Sequence, residues 1–498
     1  MGRRTSSPFA KKPIDTLLKE MGGGERLHRV LGPVALTALG VGATIGTGIF
    51  VLTGEAAKNS AGPSLVLSFA LAGFACLLAA LCYSELASMV PVAGSAYTYA
   101  YATLGELVAW IIGWDLVLEY AIGSSAVAVG WSKYLDALFR NQFHRVIDPR
   151  WINSPWKFVA ENHSFAWNKV DMVLADGTLT SVQAYANIPA LLIVLAITVV
   201  LVIGIKESAI FNATMVILNL SVILLVIALG VTYIDPRNWK PFLHKDHGWE
   251  GIPLGAATIF FSYIGFDSIS THAEEAKNPS RDLAIGILGS LLICSVLYIA
   301  VAGILTGMVP YEQIDIDAPI ASAFKVHGTT WASGLITAAI LAGITSSLLV
   351  GTLSQPRILM AMARDGMLPT SFFAAVHPKF LTPWKSTILV GLVVGTVSAL
   401  APLSFLADLV SIGTLFAFLI VCAAVWILRY TNPETPRPFR VRALPVVAGL
   451  GIVINGGLMY SLGRDNWIRL LAWLGIGLLV YFLYSRHHTK LEEPTEVV

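Results

Sequence analysis

Apolar runs of about twenty residues, each closed by a short polar stretch, recur along nearly the whole chain. A helix that crosses a bilayer needs about 20 predominantly apolar residues. Runs of that kind lie near 32–57, 64–90, 106–138, 187–205, 209–233, 253–271, 284–309, 330–362, 385–401, 403–429, 444–463 and 466–485. They predict twelve spanning helices, and an even number leaves both chain ends on one side of the membrane. Residues 1–30 and 487–498 are polar and are expected to be tails without regular structure.

The distribution of charge orients these spans. Arg3, Arg4, Lys11, Lys12, Lys19, Arg26 and Arg29 precede the first of them, which places the N-terminal tail in the cytoplasm. Loops expected on that side carry Lys277 and Arg281, then Arg357, Arg364, Lys379 and Lys385, then Arg437, Arg440 and Arg442; an opposite loop is acidic, with Glu312, Asp315 and Asp317. The stretch 139–186 is basic and lies on the far side, but long loops cross largely regardless of charge. Its Trp151, Trp156 and Trp167 suggest a segment folded over the outer mouth. The expectation is a multi-pass protein of the cell membrane with both termini cytoplasmic.

Composition agrees. Hydrophobic residues make up 55% and charged residues 13% of 498 positions, against about 25% charged in a soluble chain. The net charge of +2 comes from scattered basic residues, so no nucleic-acid surface is expected. Cys76, Cys82, Cys294 and Cys422 all lie in apolar runs, and the histidines are scattered. Neither set has metal-ligand or disulfide spacing. No Ser/His/Asp set or phosphate loop marks an enzyme, and no cofactor is implied.

Two spans are built unlike the rest. Leu39–Thr53 of the first holds four glycines and three threonines, with Gly46-Thr47-Gly48 at its centre. Glycine costs a helix interior about 0.5–1 kcal/mol relative to alanine, so such a run invites unwinding. Close helix packing by small residues is the alternative reading. Five spans on, Phe260-Phe261-Ser262-Tyr263-Ile264-Gly265-Phe266-Asp267-Ser268 carries a glycine, serines and an acid in an apolar helix. A break at membrane depth frees N–H groups on one half and C=O groups on the other, which together suit a zwitterion.

These stretches carry a family resemblance. Gly42–Phe50, Phe261–Asp267, Glu274–Asp282 (whose Arg281 is offered to neighbouring carboxylates), Pro356–Gly366 and Ser411–Leu415 resemble the cationic amino acid transporter branch of the amino acid–polyamine–organocation superfamily. The resemblance implies an all-α membrane protein of the LeuT type. Residues 31–429 would form a 5+5 inverted-repeat core with broken helices 1 and 6, and 430–486 two additional helices. Spans 1, 2, 6 and 7 would rock against a scaffold of 3, 4, 8 and 9. The implied function is secondary transport of L-amino acids, neutral or cationic, coupled to protons. An exchanger and a non-transporting sensor are the alternatives, and no stretch specifies a small membrane partner subunit.

The same resemblance implies the site. The N–H groups of Gly46, Thr47 and Gly48 with the Thr47 hydroxyl would take the substrate carboxylate; carbonyls of Phe261, Ser262 and Ile264, with those near Thr44, the ammonium. Gly351 would leave room for a long side chain, although it can equally be a packing glycine. Lys206 would stand where sodium-driven relatives hold sodium; from pattern alone it is also an ordinary loop lysine. Glu119, a carboxylate deep in the third span, is a candidate proton site or partner for a cationic substrate. Asp267 would pair with Lys206 or substrate, or cap the resumed helix.

Overall fold

A computed structural model describes residues 8–12, 31–89, 95–159, 163–173, 178–204 and 209–489. Nine helices among the described residues are long and apolar enough to cross a membrane, and three shorter apolar helices accompany them. The first of the nine, Gly48–Met89, is two traverses joined by a tight turn at Gly62–Ser64. Pro33–Thr44 is the other half of span 1, and Ile188–Ile203 and Trp384–Leu400 are spans 4 and 9. The series therefore reads as the twelve traverses that the apolar runs predict.

In chain order, span 1 is Pro33–Thr44 followed by Gly48–Leu52, Thr53–Ala56 and Ala57–Ala61; span 2 is Leu65–Met89 and span 3 is Glu106–Gln142. Span 5 is Ala209–Gly230, and span 6 is Gly251–Ile259, Phe260–Tyr263 and Phe266–Glu275. Spans 7 and 8 are Pro279–Met308 and Thr330–Arg364; spans 10, 11 and 12 are Leu403–Thr431, Leu444–Ser461 and Arg464–Leu483. Prolines at the first turns of spans 1, 4, 7 and 11 fix where those helices start, since a missing N–H is no loss there. Pro279 starts span 7 five residues before the apolar run does, so Ser280, Arg281 and Asp282 are helical and not part of a loop.

Tryptophans of spans 3 and 12 form internal joints. Trp110 and Trp114 of span 3 stack with ring centroids 5.6 Å apart, and Trp114 stacks on Trp473 of span 12 at 4.7 Å. The Trp114 and Trp473 indoles each donate to the other's carbonyl, at 2.9 and 3.1 Å, and Trp110 donates to the Gly477 carbonyl at 2.8 Å. A buried indole needs such a partner, and these bonds fasten span 12 to span 3.

The N-terminal tail is not wholly without structure. Leu107 N–H donates to the Pro8 carbonyl and Glu106 N–H to that of Ala10, while Lys12 Nζ meets Asp365 at the end of span 8 at 2.8 Å. On the far side, the long loop forms two antiparallel hairpins. β1 (Trp156–Val159) pairs with β2 (Ser164–Trp167), and β3 (Lys169–Val173) with β4 (Leu179–Gln183). Trp156 packs on Phe405, and the Arg469 guanidinium covers Phe158 and Phe405, so the first hairpin rests on the outer ends of spans 10 and 12.

One buried charge cluster lies on the tail side. Glu85, near the end of span 2, has a side chain 1% exposed and meets Arg429 at 2.5 Å and Arg437 at 3.4 Å. It also accepts the Val441 N–H at 2.8 Å. Removing one member of such a cluster strands the others in a poorly solvated place. Glu85→Ala is expected to destabilise the fold by about 3 kcal/mol or more, read as a lower unfolding midpoint in detergent, with Glu85→Gln losing less.

Candidate functional site

Both interrupted spans are broken. In span 1 the helix ends at Thr44; Ile45 is extended (φ −76°, ψ 104°), and winding resumes at Gly48 in wide π-helical turns. In span 6 a tight turn over Phe260–Tyr263 leads to extended Ile264 (φ −66°, ψ 138°) and then to Gly265 at φ 117°. That backbone conformation is open to glycine and costly for other residues.

The breaks lean on each other. A Cβ at Gly265 would stand 2.7 Å from the Ala43 carbonyl oxygen, so any side chain there would push the two spans apart. A Cβ at Gly48 would run into the Cα of Ser262. Glycine in span 1 and glycine in span 6 thus let the two unwound segments cross in contact.

Backbone groups at the crossing have unequal duties. No backbone bond outside the regular helices is recorded for the N–H groups of Gly46 and Thr47 among the described residues, and Gly48 is the first residue of the resumed helix. As the start of a resumed helix they also sit at its positive end. The carbonyl of Thr44 accepts from the Tyr298 hydroxyl at 3.0 Å, and that of Ile45 from Ser347 Oγ at 2.9 Å. The Phe261 carbonyl accepts the Ile264 N–H at 3.2 Å; its second lone pair stays available. The Thr47 hydroxyl donates at 3.3 Å to the Val127 carbonyl of span 3, so in this conformation its proton ties span 1 to span 3.

A cavity lies beside the crossing, walled by spans 1, 3, 6 and 8. Thr44, Gly46, Thr47 and Gly48 line it from span 1, and Phe261, Ile264 and Asp267 from span 6. Glu119 and Gly351 face it from spans 3 and 8. Ser262 does not line it: the residue lies behind Gly48, its hydroxyl buried without a hydrogen-bond partner. Lys206 lies outside the described residues. Asp267 lines the cavity and lies beside the Gly265 and Ser268 N–H groups where the helix restarts.

Sequence reasoning did not single out Tyr120, Ser124, Ser347 or Ser354, which also line the cavity. The run Thr345-Ser346-Ser347 in an apolar span was the available signal for Ser347. From Val127 and Ser347 the cavity reaches toward Ser268 and Ser354, the side that carries both described chain ends. On the far side the route is crossed by Tyr134, whose hydroxyl donates to the Phe50 carbonyl at 2.7 Å, and by the Lys133–Asp317 ion pair at 3.1 Å.

Two crossed helix breaks, a left-handed glycine in one of them and a cavity beside the crossing are the arrangement of a transporter of the LeuT fold class. A family model described as "Amino acid permease" matches residues 31–483, and the chain belongs to that family. It is 45% identical to the branched-chain amino acid permease BcaP of Bacillus subtilis over 98% of this chain and 99% of that one. It is 43% identical to the methylthioribose transporter of Bacillus subtilis, over 98% and 100%. The vacuolar cationic amino acid transporter 4 of Arabidopsis thaliana is 39% identical over 86% of this chain and 68% of that one.

The close approach at Gly48 makes it the most constrained position of the site. Gly48→Leu is expected to abolish substrate binding by the purified protein; binding at the unmodified level would exclude the crossing as the site. At Gly351 a Cβ would meet only the Ser124 hydroxyl, at 2.8 Å, so a larger residue fills the cavity without dismantling it. Gly351→Met is expected to weaken competition by arginine, lysine and leucine by about tenfold or more while alanine still competes, measured by displacement of a labelled substrate.

Proposed function

We propose that this amino acid permease imports L-amino acids with neutral or cationic side chains, coupled to protons, by alternating access across the cell membrane, with both termini in the cytoplasm. One observation carries the reading. Gly46, Thr47 and Gly48, at the start of a resumed helix, line the cavity where a carboxylate would sit, and Glu119 and Asp267 are its two carboxyl side chains, with no lysine, arginine or histidine among its described lining residues. An α-ammonium, and a cationic side chain, find partners there. A dicarboxylic amino acid would set its second carboxylate against like charge.

The crossing also supports alternating access, because each break belongs to a span expected to rock. With the far side crossed by Tyr134–Phe50 and Lys133–Asp317, the described conformation is the one closed outward. A proposed division follows: 31–429 as the inverted-repeat core, its breaks five spans apart, and 430–486 as appended spans held by the Trp114–Trp473 joint.

We assign proton coupling to Lys206, Glu119 and Asp267. A lysine approached by the carbonyls of a broken helix can lose its proton as the surroundings change, while Glu119 offers a carboxyl at the cavity wall. Uptake into proteoliposomes under imposed pH and sodium gradients, competed by arginine, lysine, alanine, leucine, glutamate and methylthioribose, tests the whole reading. Acid-driven accumulation with no competition by glutamate is expected; sodium dependence would refute the coupling, and competition by methylthioribose alone would refute the substrate class. Lys206→Ala is expected to lose accumulation driven by a pH gradient while still binding substrate. Undiminished accumulation by that variant would remove Lys206 from the coupling.

A further inference from the structure

The tail side of the molecule carries a second recess, unrelated to the central cavity. One wall is the start of span 7, where Arg281, Ala284, Ile285 and Leu288 follow helical spacing along one stripe; the other is Pro438 and Phe439, and about 650 Å³ of unfilled space lies between them. The second wall is fixed in place. Phe439 N–H donates to Ser88 Oγ at 3.2 Å, and Val441 N–H donates to Glu85 at 2.8 Å.

Charge at this recess is unbalanced. Glu85 is occupied by Arg429 and Arg437. Arg281, Arg440 and Arg442 are exposed, and no ion pair is recorded for any of them among the described residues; Arg440 lies close enough to Arg437 to act on its charge. The neighbouring Asp282 is buried and accepts the Asn278 N–H at 3.1 Å. Among the described residues Arg281 has no carboxylate partner, whereas the sequence offered it to neighbouring carboxylates. Farther along span 7 the exposed residues become wholly apolar: Ile285, Leu292 and Val296 are 40%, 64% and 61% exposed on one face that runs into the membrane.

We propose that this recess binds an anionic phospholipid, its phosphate against Arg281 and one acyl chain along Ile285, Leu292 and Val296. The stacking of a cationic rim over an apolar track matches that amphiphile and no soluble anion, which would leave the track uncovered. Basic recesses between spanning helices on the cytoplasmic side commonly recognise anionic head groups.

The test uses the full-length transporter, stripped of lipid in neutral detergent and re-exposed to equal amounts of phosphatidylglycerol and phosphatidylcholine, with retained lipid counted by native mass spectrometry. The unmodified protein is expected to keep phosphatidylglycerol preferentially. Arg281→Gln is expected to retain about fivefold less, the weight of one basic side chain at an anionic surface. Arg281→Lys should fall between, and Arg364→Gln, an exposed arginine outside the recess, should change nothing. Equal retention of the two lipids, unchanged retention in Arg281→Gln, or equally effective displacement by inorganic phosphate would each overturn the proposal. Because Arg281 is exposed, an unchanged unfolding midpoint is expected in the variant and confirms that the comparison is between folded proteins.

Discussion

A helix in a bilayer satisfies its own backbone, and it can hold a polar solute only where it stops doing so. Groups left over at such a stop cost several kcal/mol in hydrocarbon unless something else takes them up. Two stops placed in contact solve both problems. The Gly265 turn fits under Ala43, Ser262 backs onto Gly48, and Tyr298 and Ser347 take up two of the carbonyls freed in span 1. At the cavity wall stand Gly46, Thr47 and Gly48, where the helix restarts.

The surrounding structure holds that crossing in register. Spans 3 and 8 pass close to it: Thr47 bonds to the span 3 backbone, and Ser347 of span 8 bonds to the carbonyl at the break itself. Changes in where spans 1 and 6 stand relative to 3 and 8 must therefore remake bonds at the site, which is the physical link between substrate occupancy and access. The seals lie at opposite ends. Tyr134–Phe50 and Lys133–Asp317 cross the far side, whereas on the tail side the Lys12–Asp365 and Glu85–arginine contacts lie at the periphery of the helices.

Much of this was legible in the residues and some of it was not. Apolar run length gave the spans because a bilayer imposes a minimum on them, and Gly46-Thr47-Gly48 gave the first break because no packing motif needs that spacing. Gly265 was a weaker sign by itself, since a lone glycine is common in such helices; its positive φ and its contact with Ala43 are tertiary facts. Partners distant in sequence were invisible for the same reason, Tyr298 and Ser347 above all. The Trp114–Trp473 joint was likewise invisible, because a sequence shows an amphipathic ring but not the carbonyl it will bond. Ser262 was expected to offer its carbonyl to the ammonium; its side chain packs behind Gly48, and the residue is not among those lining the cavity. The Glu85 cluster also escaped notice, because its arginines arrive from a span and a loop more than three hundred residues away.

The central claim is that backbone ends replace the hydration shells of a zwitterion. Calorimetric titration of the purified transporter with leucine and lysine, each alongside its methyl ester and its decarboxylated amine, tests it most directly. The account predicts that the intact amino acids bind and that both analogues lose binding, since neither presents a carboxylate to Gly46, Thr47 and Gly48. Analogues without the carboxylate binding as tightly as the parent amino acids would contradict it.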